Sequence, residues 1–155
     1  MPEPNGRAEK RATAFRSECA VAIRIAATRQ RVWSLLTRAA DFPRWNSTVT
    51  SIDGDIALGG KLTVRVPLAP KRAFHPEVID FVPEERMVWA EGMAPMFRGR
   101  RTFTVAASGD GAVEFTMIEV LSGIMLPMIK GSLPDFAPAF ETYAADLKRE
   151  AERSA

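Results

Sequence analysis

An arginine and a glutamate in the C-terminal half of the sequence are the residues best placed to do chemistry. Segments that alternate between apolar and polar residues flank the loop 108–111, which is typical of a β-hairpin. A hairpin symmetric about Asp110 opposes these apolar pairs: Phe103 with Met117, Val105 with Phe115, and Ala107 with Val113. This register gives one consistent buried face. It also places Arg101 opposite Glu119 on that face, with Leu121 beside them.

An inward-facing ion pair needs a reason, because removing two charges from water is costly and apolar packing avoids that cost. The pair of Arg101 and Glu119 could be structural, with its hydrogen bonds satisfied, or it could orient the polar end of a ligand in a cavity. It could also be catalytic. Arginine cannot act as a base, so Arg101 would then stabilise an oxyanion and Glu119 would be the acid or base.

The sequence contains one histidine and one cysteine. A disulfide framework, a cysteine-based zinc cluster and a multi-histidine metal site are therefore excluded. His75 precedes a proline at the start of a strand-like segment, and we interpret it as a rim or surface residue. Glu91 follows an apolar series and could add a second inward carboxylate. The sequence has no phosphate-binding glycine loop, dinucleotide fingerprint or serine nucleophile elbow, so it predicts no cofactor.

Composition and charge limit the classes of partner. The 21 Lys and Arg residues nearly balance the 19 Asp and Glu residues. Residues 98–101 form a short basic run, but only Arg98 and Arg100 would share an outer face, so nucleic-acid binding is not expected. No apolar run reaches the ~18 residues of a membrane span, so stable membrane insertion is not expected either. Residues 1–13 predict a disordered arm without a secretory signal. The lone Cys19 favours a reducing cytoplasm, and monomer and dimer both stay open.

Hydrophobic spacing predicts a mixture of strands and helices. Alternation with period two predicts strands at 18–27, 49–56, 61–66, 77–82, 86–91, 97–107 and 113–122. Thr28 is a candidate N-cap for a first helix, and Asp41 followed by Phe42 and Pro43 predicts a second, short one. A long helix starting near Asp135 is predicted by the apolar stripe Phe136, Phe140, Tyr143, Leu147 and Ala151.

These elements predict a single α+β domain over residues 14–153. Its curved, seven-stranded antiparallel sheet would wrap around the long C-terminal helix, with two short helices after the first strand. Since one helix is long enough to cover the concave face, we expect a cavity between sheet and helix, and such cavities bind small ligands.

Several motifs follow one another in a specific order: IRIAA at 23–27 with VWSLL at 32–36, DFPRWN at 41–46, PEV at 76–78 with VPE at 82–84 and MVW at 87–89, FRG at 97–99 with RTF at 101–103, Glu119, Gly123, and ADLK at 145–148. On these motifs the sequence resembles the START-like helix-grip superfamily, also called SRPBCC, over roughly residues 15–152. The best match is its polyketide cyclase/dehydrase, or lipid-transport-like, branch. Related sequences often carry histidine where Arg101 stands, so acid–base chemistry that uses this histidine does not transfer to the present chain.

The resemblance implies a helix-grip fold and a function among carriers, cyclases, dehydratases and regulatory domains. We predict a binding or carrier protein for a small hydrophobic molecule (a lipid, aromatic or polyketide-like compound) with Arg101 and Glu119 as its polar anchor. The alternatives are a cyclase- or dehydratase-type enzyme that uses the same pair, and a chaperone-regulating interaction module. The residues predicted to line the cavity are Trp45, Trp89, Met96, Arg101, Phe103, Met117, Glu119, Leu121, Met125, Phe136, Phe140 and Tyr143.

Overall fold

The computed structural model describes residues 2–153 of the chain. Its elements are β1 (Glu9–Ala12), β2 (Arg16–Ile25), α1 (Arg29–Thr37), α2 (Phe42–Trp45), β3 (Ser51–Asp53), β4 (Thr63–Arg65), β5 (Ala73–Phe74), β6 (Glu77–Val82), β7 (Arg86–Met93), β8 (Phe97–Ala107), β9 (Val113–Ser122), α3 (Leu126–Ile129) and α4 (Ala137–Glu152). This order confirms the predicted α+β class, with short helices after the first long strand and a long helix at the C-terminal end.

The strands within residues 2–153 form two antiparallel sheets. The large sheet has the order β1-β2-β9-β8-β7-β6, and the small sheet has the order β3-β4-β5. The sequence predicted one sheet of seven strands instead. The division follows from Pro76, which directly precedes β6 and has no N–H to donate to a neighbouring strand. Its carbonyl accepts a hydrogen bond from Leu62 N at 2.9 Å, and an isolated bridge between Lys61 and Glu77 joins the sheets.

The N-terminal segment forms an edge strand where the sequence predicted a disordered arm. β1 pairs antiparallel with β2, Ala8 N donates to Glu141 Oε2 at 2.9 Å, and Lys10 Nζ lies 3.0 Å from Asp135 Oδ1. The prediction of disorder is therefore wrong for these residues. All β1 side chains are exposed, so the segment lacks the apolar alternation that reveals a strand in sequence. Met1 lies outside the described residues.

The register predicted for the last hairpin is confirmed. β8 pairs with β9 so that Phe103 stands opposite Met117 and Arg101 stands opposite Glu119. The turn is left-handed at Asp110, whose φ is 50°, a conformation that aspartate tolerates better than most residues. Arg101 and Glu119 therefore share the apolar face of the sheet.

Helix α4 packs against the concave face of the large sheet. Four residues of the predicted stripe, Phe140, Tyr143, Leu147 and Ala151, are buried, which confirms the expected amphipathic helix. Phe136, the first residue of the stripe, is half-buried and directly precedes the helix. No helix within residues 2–153 is both long enough and apolar enough to cross a membrane.

Two buried carboxylates tie the C-terminal half of α4 to the segment around α2. Asp146 Oδ2 accepts hydrogen bonds from Ser47 N at 2.8 Å and from Ser47 Oγ at 2.7 Å. Glu150 Oε2 accepts one from Arg44 Nη1 at 2.9 Å. Burial raises the pKa of Glu150. The Arg44 hydrogen bond and the nearby arginine charges together lower it by more than burial raises it, so the pKa of Glu150 is below its usual value. These bonds fix the position of α4 over the sheet.

Candidate functional site

A cavity of about 370 Å³ lies between the concave face of the large sheet, the small sheet and the N-terminal half of α4. This volume is within the roughly 300–1,000 Å³ of typical small-molecule sites. Most of the wall is apolar, and its polar or charged members are Thr48, Arg72, Glu91, Arg101 and Glu119. The predicted cavity between sheet and helix is therefore present, with the chemical character of a site for a mainly apolar molecule.

Most of the residues predicted for the cavity are brought together in its wall: Trp89, Arg101, Met117, Glu119, Leu121, Phe136, Phe140 and Tyr143. Four others, Trp45, Phe103, Met96 and Met125, are not part of the wall. Their predicted place in the cavity is therefore corrected.

Two of these four are core residues that lie behind the wall. The ring of Trp45 packs on Phe42, with ring centroids 5.1 Å apart, and Phe42 itself lines the cavity. Phe103 is fully buried, and its ring packs 4.8 Å from that of Trp89. Both side chains are therefore buried, and each packs on an aromatic residue that lines the cavity instead of lining it itself.

The other two, Met96 and Met125, lie in neighbouring loops outside the cavity. Met125 N donates to Met96 O at 3.0 Å, so the loops are joined by main-chain hydrogen bonds, and the Met96 side chain is exposed. The predicted place of both methionines in the cavity wall is therefore wrong.

The small sheet and its flanking loops contribute a part of the wall that the sequence did not predict: Ile52, Val64, Val66, Leu68 and Phe74. The alternation at 62–66 did predict a strand there. Alternation alone cannot show that this strand belongs to a second sheet facing the first across the cavity.

The Arg101–Glu119 pair lies inside the cavity wall with a direct hydrogen bond. Arg101 Nε donates to Glu119 Oε1 at 2.8 Å, and the side chains are 25% and 15% exposed, respectively. The Arg101 Cζ atom also lies 5.0 Å from the centroid of the Phe140 ring, which is a cation–π distance. The pair is thus partly desolvated and is held by both sheet and helix.

Gly99 provides the space for this arrangement. A Cβ atom at this position would lie 3.6 Å from Glu119 Oε2 and 3.3 Å from Leu121 Cδ2. Gly99 is itself part of the wall, so any larger residue there would reduce the cavity beside the carboxylate.

Two further polar atoms in wall residues are buried without a partner among the described residues: Trp89 Nε1 and Tyr143 OH. Burial raises the pKa of Tyr143 well above its usual value, and the charge of Arg101 opposes this rise. The phenol therefore stays protonated at physiological pH. Unpartnered buried groups of this kind are costly, and they lie in the same region of the wall as the ion pair.

Charged groups also occur at the edge of the cavity. Glu91 Oε1 accepts a hydrogen bond from His75 N at 2.9 Å, and Glu91 lines the cavity as its position in the sequence suggested. Arg72 is exposed and also lines the cavity, so it lies where the cavity meets solvent. His75 is exposed and outside the wall, in agreement with its interpretation as a rim or surface residue.

The wall holds two carboxylates, Glu91 and Glu119, and the phenol of Tyr143 as its groups able to carry a proton. Within residues 2–153 it contains no histidine, cysteine or lysine, the side chains that most often act as bases or nucleophiles near neutral pH. Cys19 lies outside the wall, and burial raises its pKa to about 11. The described residues also contain no group of three side chains placed to bind a metal ion.

A family model described as polyketide cyclase / dehydrase and lipid transport matches residues 17–152. Among solved structures, the chain is similar to a START superfamily protein from Mycobacterium smegmatis, with 14% identity, a TM-score of 0.65, and coverage of 88% of this chain and 97% of that chain. It is similar to a truncated norcoclaurine synthase from Thalictrum flavum, with 12% identity, a TM-score of 0.65, and coverage of 93% and 99%. No curated protein sequence matches the chain. The structural similarities confirm the predicted START-like helix-grip fold.

Proposed function

The chain belongs to the polyketide cyclase/dehydrase and lipid-transport family, and on this premise we propose that it is a binding or carrier protein for a small hydrophobic molecule. The ligand would be a lipid, an aromatic compound or a polyketide-like compound held in the cavity, with Arg101 and Glu119 as its polar anchor. The observation that carries the proposal is the 2.8 Å ion pair set into a mainly apolar wall of ligand-binding size.

The apolar part of the wall supplies the main driving force for this function. Transfer of apolar ligand surface out of water contributes roughly 25 cal/mol per Å². The aromatic residues Trp89, Phe136 and Phe140 provide a large share of that surface. A polar anchor inside such a wall fixes the orientation of the ligand, because a polar end placed against hydrocarbon would lose its hydrogen bonds.

An enzymatic function is the second candidate, and the position of Glu119 in the cavity wall is the observation that favours it. Arg101 would stabilise an oxyanion and Glu119 would move a proton, as in a cyclase or dehydratase. Binding without turnover is favoured because Glu119 Oε1 already accepts a hydrogen bond from Arg101. The wall also offers no imidazole to serve as an alternative base within residues 2–153.

Native mass spectrometry of the freshly purified protein tests the binding function. We expect an adduct whose extracted component is a hydrophobic molecule of a few hundred daltons. Ala139→Phe, which places a ring in the cavity wall, should remove the adduct. Ala145→Phe is the matched control, because Ala145 is exposed on the same helix. A protein that carries no adduct and binds no hydrophobic compound when exposed to a panel of them would contradict the proposal.

Incubation with the extracted molecule separates carrier from enzyme. A carrier returns the compound unchanged. Conversion of the compound by the wild-type protein, with loss of conversion in Glu119→Gln, would establish the enzymatic alternative instead.

A further inference from the structure

The hydrogen-bonding groups around Arg101 identify the polar end that the ligand carries. We propose that the ligand ends in an anionic oxygen group, such as a carboxylate or sulfonate, which the Nη1 and Nη2 amino groups of Arg101 bind while the hydrophobic body lies along the apolar wall. This inference rests on the proposed function, since it requires a ligand in the cavity.

Arg101 uses only part of its hydrogen-bonding capacity. Its Nε atom donates to Glu119, and its guanidinium makes no other hydrogen bond within the described part of the chain. A quarter of the side chain is exposed although Arg101 belongs to the cavity wall. The two terminal amino groups therefore have no partner within the described residues, and side by side they have the geometry that binds a carboxylate through two parallel hydrogen bonds.

The guanidinium is held in place before any ligand binds. The Phe140 ring supports one side of it, and the Glu119 carboxylate fixes its Nε edge. Because a prepositioned group loses little conformational freedom on binding, more of the interaction energy appears as affinity.

The neighbouring unpaired groups are also donors. Trp89 stands directly opposite Arg101 in the pairing of β7 with β8, and its buried Nε1 has no partner among residues 2–153. The Tyr143 hydroxyl is in the same state. Both atoms are buried, so we do not propose that they contact the ligand directly. They add two unpaired hydrogen-bond donors to the region around Arg101. Such an excess of donors favours an acceptor-rich ligand end over a cationic one.

The carboxylates of the wall do not reverse this preference. Glu119 is paired with Arg101, and Glu91, which accepts only a neutral main-chain hydrogen bond from His75, is balanced in net charge by Arg72 in the same wall. Arg72, at the solvent edge of the cavity, takes part in no ion pair within residues 2–153 and adds a positive charge there.

Two fluorescent probes with the same aromatic body test the inference. N-phenylnaphthylamine is neutral, and anilinonaphthalene sulfonate carries one additional sulfonate group. The readout is the ratio of their affinities for each protein. For the wild-type protein we expect the sulfonate probe to bind at least about tenfold more tightly, the scale of a charge-assisted hydrogen-bond pair.

The double variant R101M/E119Q should lose this preference. Removing both charges leaves no buried carboxylate without a partner, so the double variant is less destabilised than Arg101→Met alone. Arg100→Met is the matched control and should keep the wild-type ratio, because Arg100 is exposed in the same strand and outside the cavity wall. If the double variant does not fold, competition on the wild-type protein by naphthylacetate and by its neutral amide gives the same ratio.

The outcomes separate this inference from the proposed function. Equal affinities for the two probes in the wild-type protein, or a preference that persists in the double variant, would overturn the anionic ligand end and leave hydrophobic binding intact. If the cavity binds neither probe nor either naphthyl compound, both the inference and the proposed function are wrong.

Discussion

At the scale of the residue, the members of the Arg101–Glu119 pair depend on each other unequally. Arg101 is supported by the Phe140 ring and faces cavity space. Glu119 is only 15% exposed and has Arg101 as its ion-pair partner among residues 2–153. Loss of the arginine therefore leaves a carboxylate in an apolar wall, whereas loss of the glutamate leaves a cation that keeps its aromatic neighbour.

This inequality leads to a stability prediction. Arg101→Met should lower the free energy of unfolding by about 2–4 kcal/mol, because a buried charge loses its partner. Glu119→Gln should cost about 1–2 kcal/mol, because an amide oxygen still accepts the Nε hydrogen bond. Urea unfolding of both variants and of the double variant completes a double-mutant cycle. Equal costs for the two single variants would contradict the prediction.

The sequence is informative about this pair and less so about the aromatic residues around it. Alternating apolar neighbours fix a register, and a register fixes which residues stand opposite each other, so the pair could be predicted. Alternation shows on which face of the sheet a side chain lies, but it does not show how far that side chain lies from the cavity. Phe103 is on the predicted face, yet the Trp89 ring packs against it and keeps it out of the wall, an arrangement that depends on side-chain packing in three dimensions.

At the scale of the element, helix α4 is held over the cavity by its buried carboxylates. Asp146 accepts two hydrogen bonds from Ser47, and Glu150 is paired with Arg44, Arg31 and Arg153. Arg31 lies in α1, Arg44 in α2 and Ser47 just after α2, so these bonds tie the C-terminal half of α4 to the first two helices.

Glu150 should make the stability of the protein depend on acid pH. Its pKa is lower in the folded chain than its ordinary value of 4.5. A lowered pKa stabilises the fold at pH values above about 4.5, and this contribution is lost as the pH falls through the folded value. We expect urea midpoints to decline below this pH in the wild-type protein and to decline less steeply in Glu150→Gln. Glu77→Gln, at an exposed position, is the control. Parallel curves for wild type and Glu150→Gln would show that the carboxylate carries no such linkage.

Strand β1 should protect the edge of the large sheet more than it stabilises the fold. Its side chains are exposed, and the Lys10–Asp135 ion pair is more than half exposed at both ends, so Lys10→Ala should change the unfolding free energy by less than about 0.5 kcal/mol. Deleting residues 2–12 instead uncovers the main-chain donors and acceptors of β2, and such free edges associate. Light scattering should therefore show aggregation of the truncated chain at concentrations where Lys10→Ala stays dispersed. If the truncated chain also stays dispersed, β1 does not protect the edge of the sheet from association.

Strand β1 and the separate small sheet were not predicted from the sequence, and both are positioned by backbone contacts. β1 is held by main-chain pairing with β2. The turn before β4 depends on Gly60, where a Cβ would lie 1.9 Å from Asp55 O. Period-two and helical spacing report side-chain burial, so strands that bury much of one face are visible in the sequence, and an exposed edge strand or a change of sheet is not.

At the scale of the whole molecule, the existence of the cavity could be predicted and its size could not. One long helix cannot fill the concave side of a curved sheet, and this follows from the order of the elements. The volume of about 370 Å³ depends also on where the small sheet lies. That position follows from Pro76 and from the turn at Gly60 before β4, and no hydrophobic pattern encodes it.

A cavity of this kind couples ligand binding to global stability. A ligand that binds only the folded chain adds about 2.7 kcal/mol when its concentration is a hundred times the dissociation constant, and for a domain of about 150 residues this raises Tm by roughly 5–10 °C. We expect N-phenylnaphthylamine to produce such a shift in the wild-type protein and in Ala145→Phe. Ala139→Phe should lose the shift without losing its cooperative unfolding, because the new ring takes up the space that the probe needs. A shift of equal size in Ala139→Phe would place the bound probe somewhere other than the cavity between α4 and the two sheets.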